Sequence, residues 1–370
     1  MRGRRHALRA QAAVRLWGAS VAMLGLIPCA AQGQGAAPRP PGAEWTGAAF
    51  TFSRIADGVY HAVGTGALAV GANAVVIVND SDVVLVDSHV SPAAAWALLT
   101  ELKRITSRPV RTVINTHFHY DHAHGNEIYG ADVQVIGHEV TRERLLAGAS
   151  QQGAAYEGLL RVLPQRRDSL MRVLDTARAP AVTAALRERI GQVERYQVAI
   201  DAVHPTPPNV TLSRQLVLHR GAREIRVLFL GRGHTGGDVV VYLPTEKVVA
   251  TGDLVGSGLP FLGDGYLDEW ATTLRELDAL DWSVLLPGHG GPVRDHSVPN
   301  KLASLLSDVH QQAGRLLEKG LTPDEVEAQL DLRSHVVDYP ALADRTSADN
   351  LERFLLAVHR MATLRSGTRR

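Results

Sequence analysis

Hydrophobic and polar positions change their period several times along this chain. Val83-Val84-Leu85-Val86 is an unbroken apolar run that ends at Asp87. Short runs of this kind suit strands buried on both faces. Two β-rich stretches precede it, Ile55 to Val63 and Ala69 to Asn79. A helix is predicted to open at Ser91-Pro92, with serine as N-cap and proline at the first helical position. Leu98, Leu99, Leu102 and Ile105 continue it at helical spacing. Val110 to Asn115 reads as the next strand. From about 139 to 205 leucine, alanine and arginine dominate and β-branched runs are few, which predicts a helical insertion. Strands resume at Val210 to Leu218, Glu224 to Leu230, Val239 to Tyr242 and Val248 to Ala250. A helix over about Glu269 to Leu280 then leads to a strand at Ser283 to Leu286. Beyond 298 the pattern is helical. Thr322-Pro323-Asp324-Glu325 forms a capping box, and Leu351, Phe354, Leu355, Val358 and Met361 make one apolar stripe. That stripe reads as core, with a homodimer interface as the alternative.

The start of the chain has another character. Arg2, Arg4, Arg5, Arg9 and Arg15 give a basic segment, Leu16 to Ile27 is apolar, and Ala30 and Ala31 are small. This three-part pattern predicts a secretory signal over 1–31 and a secreted or periplasmic location. The apolar run is short for a membrane span, so no stable span is expected after cleavage. Residues 32–49 read as a flexible linker, rich in Ala, Gly, Gln and Pro. The globular domain is expected over 50–297, with a helical extension over 298–370. Cys29 is the single cysteine and lies in the expected signal, so the remainder offers neither disulfide nor thiolate ligand. Formal net charge is +1, which gives no field favouring nucleic acid or an anionic membrane. A small-molecule substrate is the expected partner.

The candidate chemistry begins where the Val110–Asn115 strand ends. His117, His119, Asp121 and His122 place four ligand-type side chains in six positions. Imidazole nitrogen and carboxylate oxygen are ligands that zinc accepts. Alternate residues of an extended loop face opposite ways, so the cluster supplies two adjacent sites rather than one. Three later segments each set a ligand-type residue beside glycine after an apolar run. They hold His234, Asp253 and His289.

With these motifs the sequence resembles the metallo-β-lactamase superfamily, most closely its glyoxalase II-like hydrolase branch. The resemblance covers roughly Ile55 to Val293, apart from the helical insertion. It implies an α/β, four-layer αββα sandwich with metals at one edge. It implies that His117, His119 and His234 hold one metal, that Asp121, His122 and His289 hold a second, and that Asp253 bridges them. Asp87 would orient a ligand, and His138 is a further candidate for that role. Two zinc ions per chain are implied, with iron or manganese as other occupants. The expected activity is attack by a metal-bound hydroxide on an ester-like bond, such as a thioester or lactone, with Asp121 guiding the proton. Tyr120, Phe261 and Tyr266 are candidate substrate contacts, and Gly64 to Gly71 a candidate mobile flap. The superfamily also contains true β-lactamases, which usually carry cysteine or serine where Asp253 stands. It reaches persulfide dioxygenases with a single iron as well, which use a subset of these ligands.

Overall fold

The computed structural model describes residues 38–344 and 347–367. Their alternating apolar positions build two β-sheets. The first runs in chain order: β1 (Phe50–Ala56), β2 (Val59–Gly64), β3 (Ala74–Val78), β4 (Val83–Val86), β5 (Val110–Ile114), β6 (Gln134–His138) and β7 (Val210–Leu212). The second contains β8 (Gln215–Arg220), β9 (Arg223–Leu228), β10 (Val240–Leu243), β11 (Val248–Gly252) and β12 (Val284–Pro287). β4, β5, β6 and β7 pair in parallel, as do β11 and β12.

The period of two decides which side chains meet. Val75 and Ile77 of β3 and Val84 and Val86 of β4 face inward, where they join Val241, Leu243, Val248, Ala250, Val284 and Leu286 of the second sheet. Their neighbours Val76, Val83 and Leu85 face outward onto α1 (Pro92–Leu102) through Ala94, Ala97 and Leu98. On the far side Val240, Val249 and Leu285 pack on α6 (Leu267–Asp278) and α7 (Ser297–Glu318). Helix, sheet, sheet and helix therefore stack in four layers, the expected αββα sandwich. Strands such as β4 are buried on both faces, which explains their unbroken apolar runs.

Two local signals are realised as read. Ser91 Oγ accepts from Ala94 N at 3.2 Å at the start of α1. Thr322 and Glu325 form a reciprocal capping box at α8 (Pro323–Gln329). The insertion consists of α3 (Glu139–Leu146), α4 (Ala154–Thr176) and α5 (Pro180–Asp201), with α4 and α5 packed through Leu163, Val193 and Ile200. In the C-terminal helix α9 (Ala348–Gly367), Phe354, Val358 and Met361 are buried in the same core as α6 and α7. Three of the five stripe positions thus pack within the chain, while Leu351 is exposed and Leu355 half-buried.

Three expectations need correction. Residues 38–49, the last two thirds of the stretch read as a flexible linker, are anchored on the domain. Ala43 lies against Ala93 and Ala199, and Trp45 sets its edge on Trp96 at 5.7 Å. The buried carboxylate of Glu101 accepts from Ala49 N at 2.6 Å, Phe50 N at 3.2 Å and Trp45 Nε1 at 3.2 Å. Val210 to Leu218 is two strands, because the chain crosses from one sheet to the other at Ser213-Arg214. The Gly64–Gly71 turn is held down by buried Leu68 and Val70. The expected signal segment, 1–31, lies outside the described residues. Among the described residues no helix is long and apolar enough to cross a membrane.

Candidate metal centre

The site forms where strands of both sheets end. β5 delivers His117, His119, Asp121 and His122, the last two in a single helical turn, α2 (Tyr120–Ala123). Asp253 follows β11, His289 follows β12, and His234 sits in the loop from β9 to β10. Carboxyl ends of strands at a change in sheet order leave a crevice of this kind.

The structure gathers these seven side chains into three overlapping groups: His117, His119 and His234; His117, His122 and Asp253; and Asp121, His122 and His289. His234 Nε2 lies 3.0 Å from His119 Nδ1. Asp253 occupies the middle, with Oδ1 3.3 Å from His122 Nε2, and Oδ2 3.6 Å from His234 Nε2 and 3.4 Å from His289 Nε2. Asp121 Oδ2 stands 3.1 Å from His289 Nε2 and 3.6 Å from His122 Nε2.

The outer nitrogens of three rings are spoken for. His122 Nδ1 donates to Asp87 Oδ2 at 2.8 Å. Asp87 also accepts from Thr116 N at 2.7 Å and Thr116 Oγ1 at 2.9 Å. With that hydroxyl proton given to Asp87, Thr116 Oγ1 accepts from His117 Nδ1 at 3.0 Å. One carboxylate therefore sets the tautomer of His122 directly and of His117 through a hydroxyl. On the opposite side His119 Nε2 donates to Asp264 Oδ2 at 3.0 Å. Each of these bonds turns the other ring nitrogen toward the centre.

That arrangement fits a metal. His117 Nε2, His122 Nε2 and Asp253 Oδ1 are buried and have no hydrogen-bond partner. Buried polar atoms without partners are costly, and three at one point are accounted for by a cation. Electrostatics divides the cluster the same way. Burial holds His117 well below the ordinary imidazole value and His234 down at about 3, with neighbouring imidazoles adding to the shift. Burial opposes charge on His122 and His289 too, but Asp253 and Asp121 outweigh it, raising His122 well above its ordinary value and His289 to about 10. A fully buried set of acceptors therefore sits beside a carboxylate-rich half.

Backbone geometry makes room for this. A Cβ on Gly288 would lie 2.3 Å from Asp253 Oδ1 and 2.6 Å from His122 Cε1, so only glycine fits there. The next residue, His289, is fixed by Asn73. Its amide Nδ2 donates to Pro287 O at 3.1 Å and Gly290 O at 2.9 Å, and its backbone N donates to Gly288 O at 2.8 Å. Asp238 accepts from Thr235 N at 2.7 Å and Thr235 Oγ1 at 2.8 Å, closing the loop that carries His234.

Above the cluster opens a cavity of about 500 Å³, the size of small-molecule sites. His119, Asp121, His234, Asp253 and His289 form its floor. Its walls include Tyr120 and Ala155 on one side, Gly256 to Phe261 on another, and Arg353 of α9. Two of the three candidate substrate contacts, Tyr120 and Phe261, line it. Tyr266 does not. Its ring is covered by the guanidinium groups of Arg232 at 4.2 Å and Arg360 at 4.8 Å, and it backs Gly236. His138 touches no ligand either. Its Nδ1 accepts from Val140 N at 3.1 Å at the start of α3, and its ring lies on Phe229 at 4.3 Å. A histidine at a helix start serves as the cap there.

Sequence reasoning missed Asp264, Asn73 and Arg353. Gly263 and Gly265 flank Asp264, a tight-turn signal that could have marked it. Asn73 and Arg353 carried no such signal.

A stacked αββα sandwich with a His/Asp cluster at one edge defines a class of protein. The chain belongs to the metallo-beta-lactamase superfamily, whose sequence model matches residues 67–289. It is similar to the linear primary-alkylsulfatase of Pseudomonas sp. (strain ATCC 19151), 24% identical over 277 residues, covering 69% of this chain and 49% of that protein. It is also similar to 2,4-dinitroanisole O-demethylase subunit alpha of Nocardioides sp. (strain JS1661), 25% identical over 259 residues, covering 67% and 60%. The chain thus spans about half to three fifths of the length of these relatives. Among solved structures, the stereoselective inverting sec-alkylsulfatase Pisa1 from Pseudomonas sp. superposes with a TM-score of 0.60 at 20% identity, covering 84% of this chain and 50% of that one. That is a likeness of fold.

Proposed function

We propose that this protein is a metal-dependent hydrolase that uses two zinc ions to cleave an ester-like bond in a small molecule. One observation carries the reading. Of three three-residue groups the middle one, His117, His122 and Asp253, shares His117 with one neighbour and His122 with the other, and all three of its members carry a buried polar atom without a hydrogen-bond partner. His117 Nε2, His119 Nδ1 and His234 Nε2 would hold one ion, Asp121, His122 and His289 the other, and Asp253 would lie between. Bound there, such ions supply a water of lowered pKa and an electrophile for developing negative charge.

The chain's own residues do the remainder. Asp87 and Asp264 fix ring orientation from outside the cluster. Asp121 faces both the floor and the cavity, and would take the proton released from the attacking water and return it to the leaving group. Tyr120 and Phe261 shield the reacting bond from solvent. The glyoxalase II-like branch, with thioester or lactone substrates, remains our reading. Similarity to an alkylsulfatase adds sulfate esters to the class. A β-lactamase is the second reading, favoured by an exported location. Export itself rests on the basic, apolar and small-residue segments of 1–31, and an N-terminal reading of the protein recovered from the periplasm tests it. The set Asp121, His122 and His289 is what favours two metals over a persulfide dioxygenase's single iron.

A panel of a thioester, a lactone, an alkyl sulfate and a β-lactam, assayed with zinc-loaded protein, tests the reaction class. Turnover of an oxygen- or sulfur-ester, abolished in Asp121→Asn, is expected. Turnover of the β-lactam alone would install the second reading. No turnover of any of the four would contradict the first.

A further inference from the structure

The long helices of the insertion, α4 and α5, carry two features that the metal centre does not use. Six of the ten exposed large apolar side chains among the described residues belong to them, a concentration that marks an interaction surface. Between 158 and 190 seven arginines stand against three acidic residues, so this stretch is basic although the whole chain is nearly neutral. We propose that one face of the α4–α5 hairpin docks the protein peripherally on an anionic lipid bilayer, beside the mouth of the cavity.

Helical periodicity defines the face. Ala155, Val162, Arg166 and Val173 follow at intervals of seven, four and seven along α4. Val182, Arg189 and Tyr196 follow at intervals of seven along α5. Both series meet the body of the protein at the cavity. Ala155 lines it, and Tyr196 joins Tyr120, another lining residue, against the core between the two helices. From there the face runs outward for about 27 Å along α4. Val162, Val173 and Val182 stand on it 49%, 52% and 50% exposed. Arg166 and Arg189 are exposed between them. The acids nearest in the chain, Asp168 and Glu188, lie off this face and pair with Arg167 and Arg195 at 2.9 and 2.8 Å. The face is therefore apolar and basic together. An anionic bilayer matches both characters, because valines enter the boundary between headgroups and acyl chains while guanidinium groups bond phosphates. A second copy seated on the same face would set arginine against arginine. Among the described residues no helix is long and apolar enough to cross a membrane, so the contact is one of lying on the surface.

The test is co-sedimentation of the full chain with vesicles of phosphatidylcholine alone and of phosphatidylcholine with about a third phosphatidylglycerol. Two variants accompany it: Arg166→Gln with Arg189→Gln, and Val162→Ser with Val173→Ser and Val182→Ser. Stronger binding to the anionic vesicles, weakened by salt, is expected. The partition coefficient on them should fall about thirtyfold in the arginine variant and about tenfold in the valine variant, with thermal melting by circular dichroism unchanged. Should the valine variant not fold, the arginine variant alone decides, since both of its positions are exposed. Equal binding to the two vesicle types, or undiminished binding in the arginine variant, would overturn the proposal. So would a lipid-free dimer, seen by sedimentation velocity, that becomes a monomer in the valine variant, because the face would then belong to a second copy.

Discussion

The floor and the walls of the cavity are built on different principles. The floor is made of strand ends. His117, His119, His122 and His234 are buried, Asp253 lies at their centre, and Asp87 and Asp264 hold rings from behind. Its side chains come from both sheets, and glycines such as Gly288 let them approach closely. The walls are made of attachments. Ala155 comes from the helical insertion, Leu259 and Phe261 from a loop, and Arg353 from the C-terminal helix. The floor is thus tied to strands of the core, whereas the walls are carried by attachments, the kind of segment that can vary without disturbing a core.

Predictions follow from that contrast. The largest effect belongs to the floor. Asp253→Ala should lower hydrolytic activity by about a thousandfold and reduce the metal content below two per chain by elemental mass spectrometry. Retention of both metals would separate Asp253 from the centre. Next comes the support behind the floor. Asp87→Asn keeps the shape but cannot accept from His122 Nδ1, Thr116 Oγ1 and Thr116 N together, and should cost about 10- to 100-fold in metal affinity or activity, with unchanged circular dichroism. Wild-type metal affinity would mean that the tautomers are set by something else. A wall substitution should act differently. Phe261→Ala is expected to change KM by roughly tenfold and to leave metal content at the wild-type level. Loss of metal in this variant would erase the distinction between floor and wall.

The smallest effect is a pH slope. Burial lowers His124 to about 4, against an ordinary value of 6.5. Below 6.5 the unfolded chain binds a proton that the folded one refuses. The stability linked to His124 is therefore complete above 6.5 and is lost as pH falls toward 4, by up to about 1.4 kcal/mol per pH unit. Urea midpoints of chelator-treated protein at pH 7 and pH 5 should differ less in His124→Asn than in wild type. An equal difference in both would show that His124 does not titrate with folding.

The same contrast explains what the sequence disclosed. Floor residues were legible because metal chemistry allows few side chains, and because loops that carry them need glycine at fixed offsets. The strands were legible from their period, as in β4, β5 and β12. Val210 to Leu218 was misread because a change of sheet leaves the β-period intact. Residues 38–49 were misread because a composition of Ala, Gly and Pro looks solvated. Their anchor, Glu101, lies on a distant helix. Asp264 touches His119 across 145 positions, a distance that no local spacing reveals. Arg353 lies between the apolar positions of the α9 stripe and carries no motif of its own, and the Tyr266 ring is covered by two arginines that lie far from it in the chain. His138 had the residue type of a metal partner, but its position at the start of α3 gave it a cap to make.

The central claim is two metals in one shared cluster. Protein purified without chelators and analysed by elemental mass spectrometry tests it most directly. The account predicts about two ions per chain, zinc foremost, falling to about one when Asp121 and His289 are both replaced by alanine. A folded protein that carries no metal and takes up none on addition would contradict it.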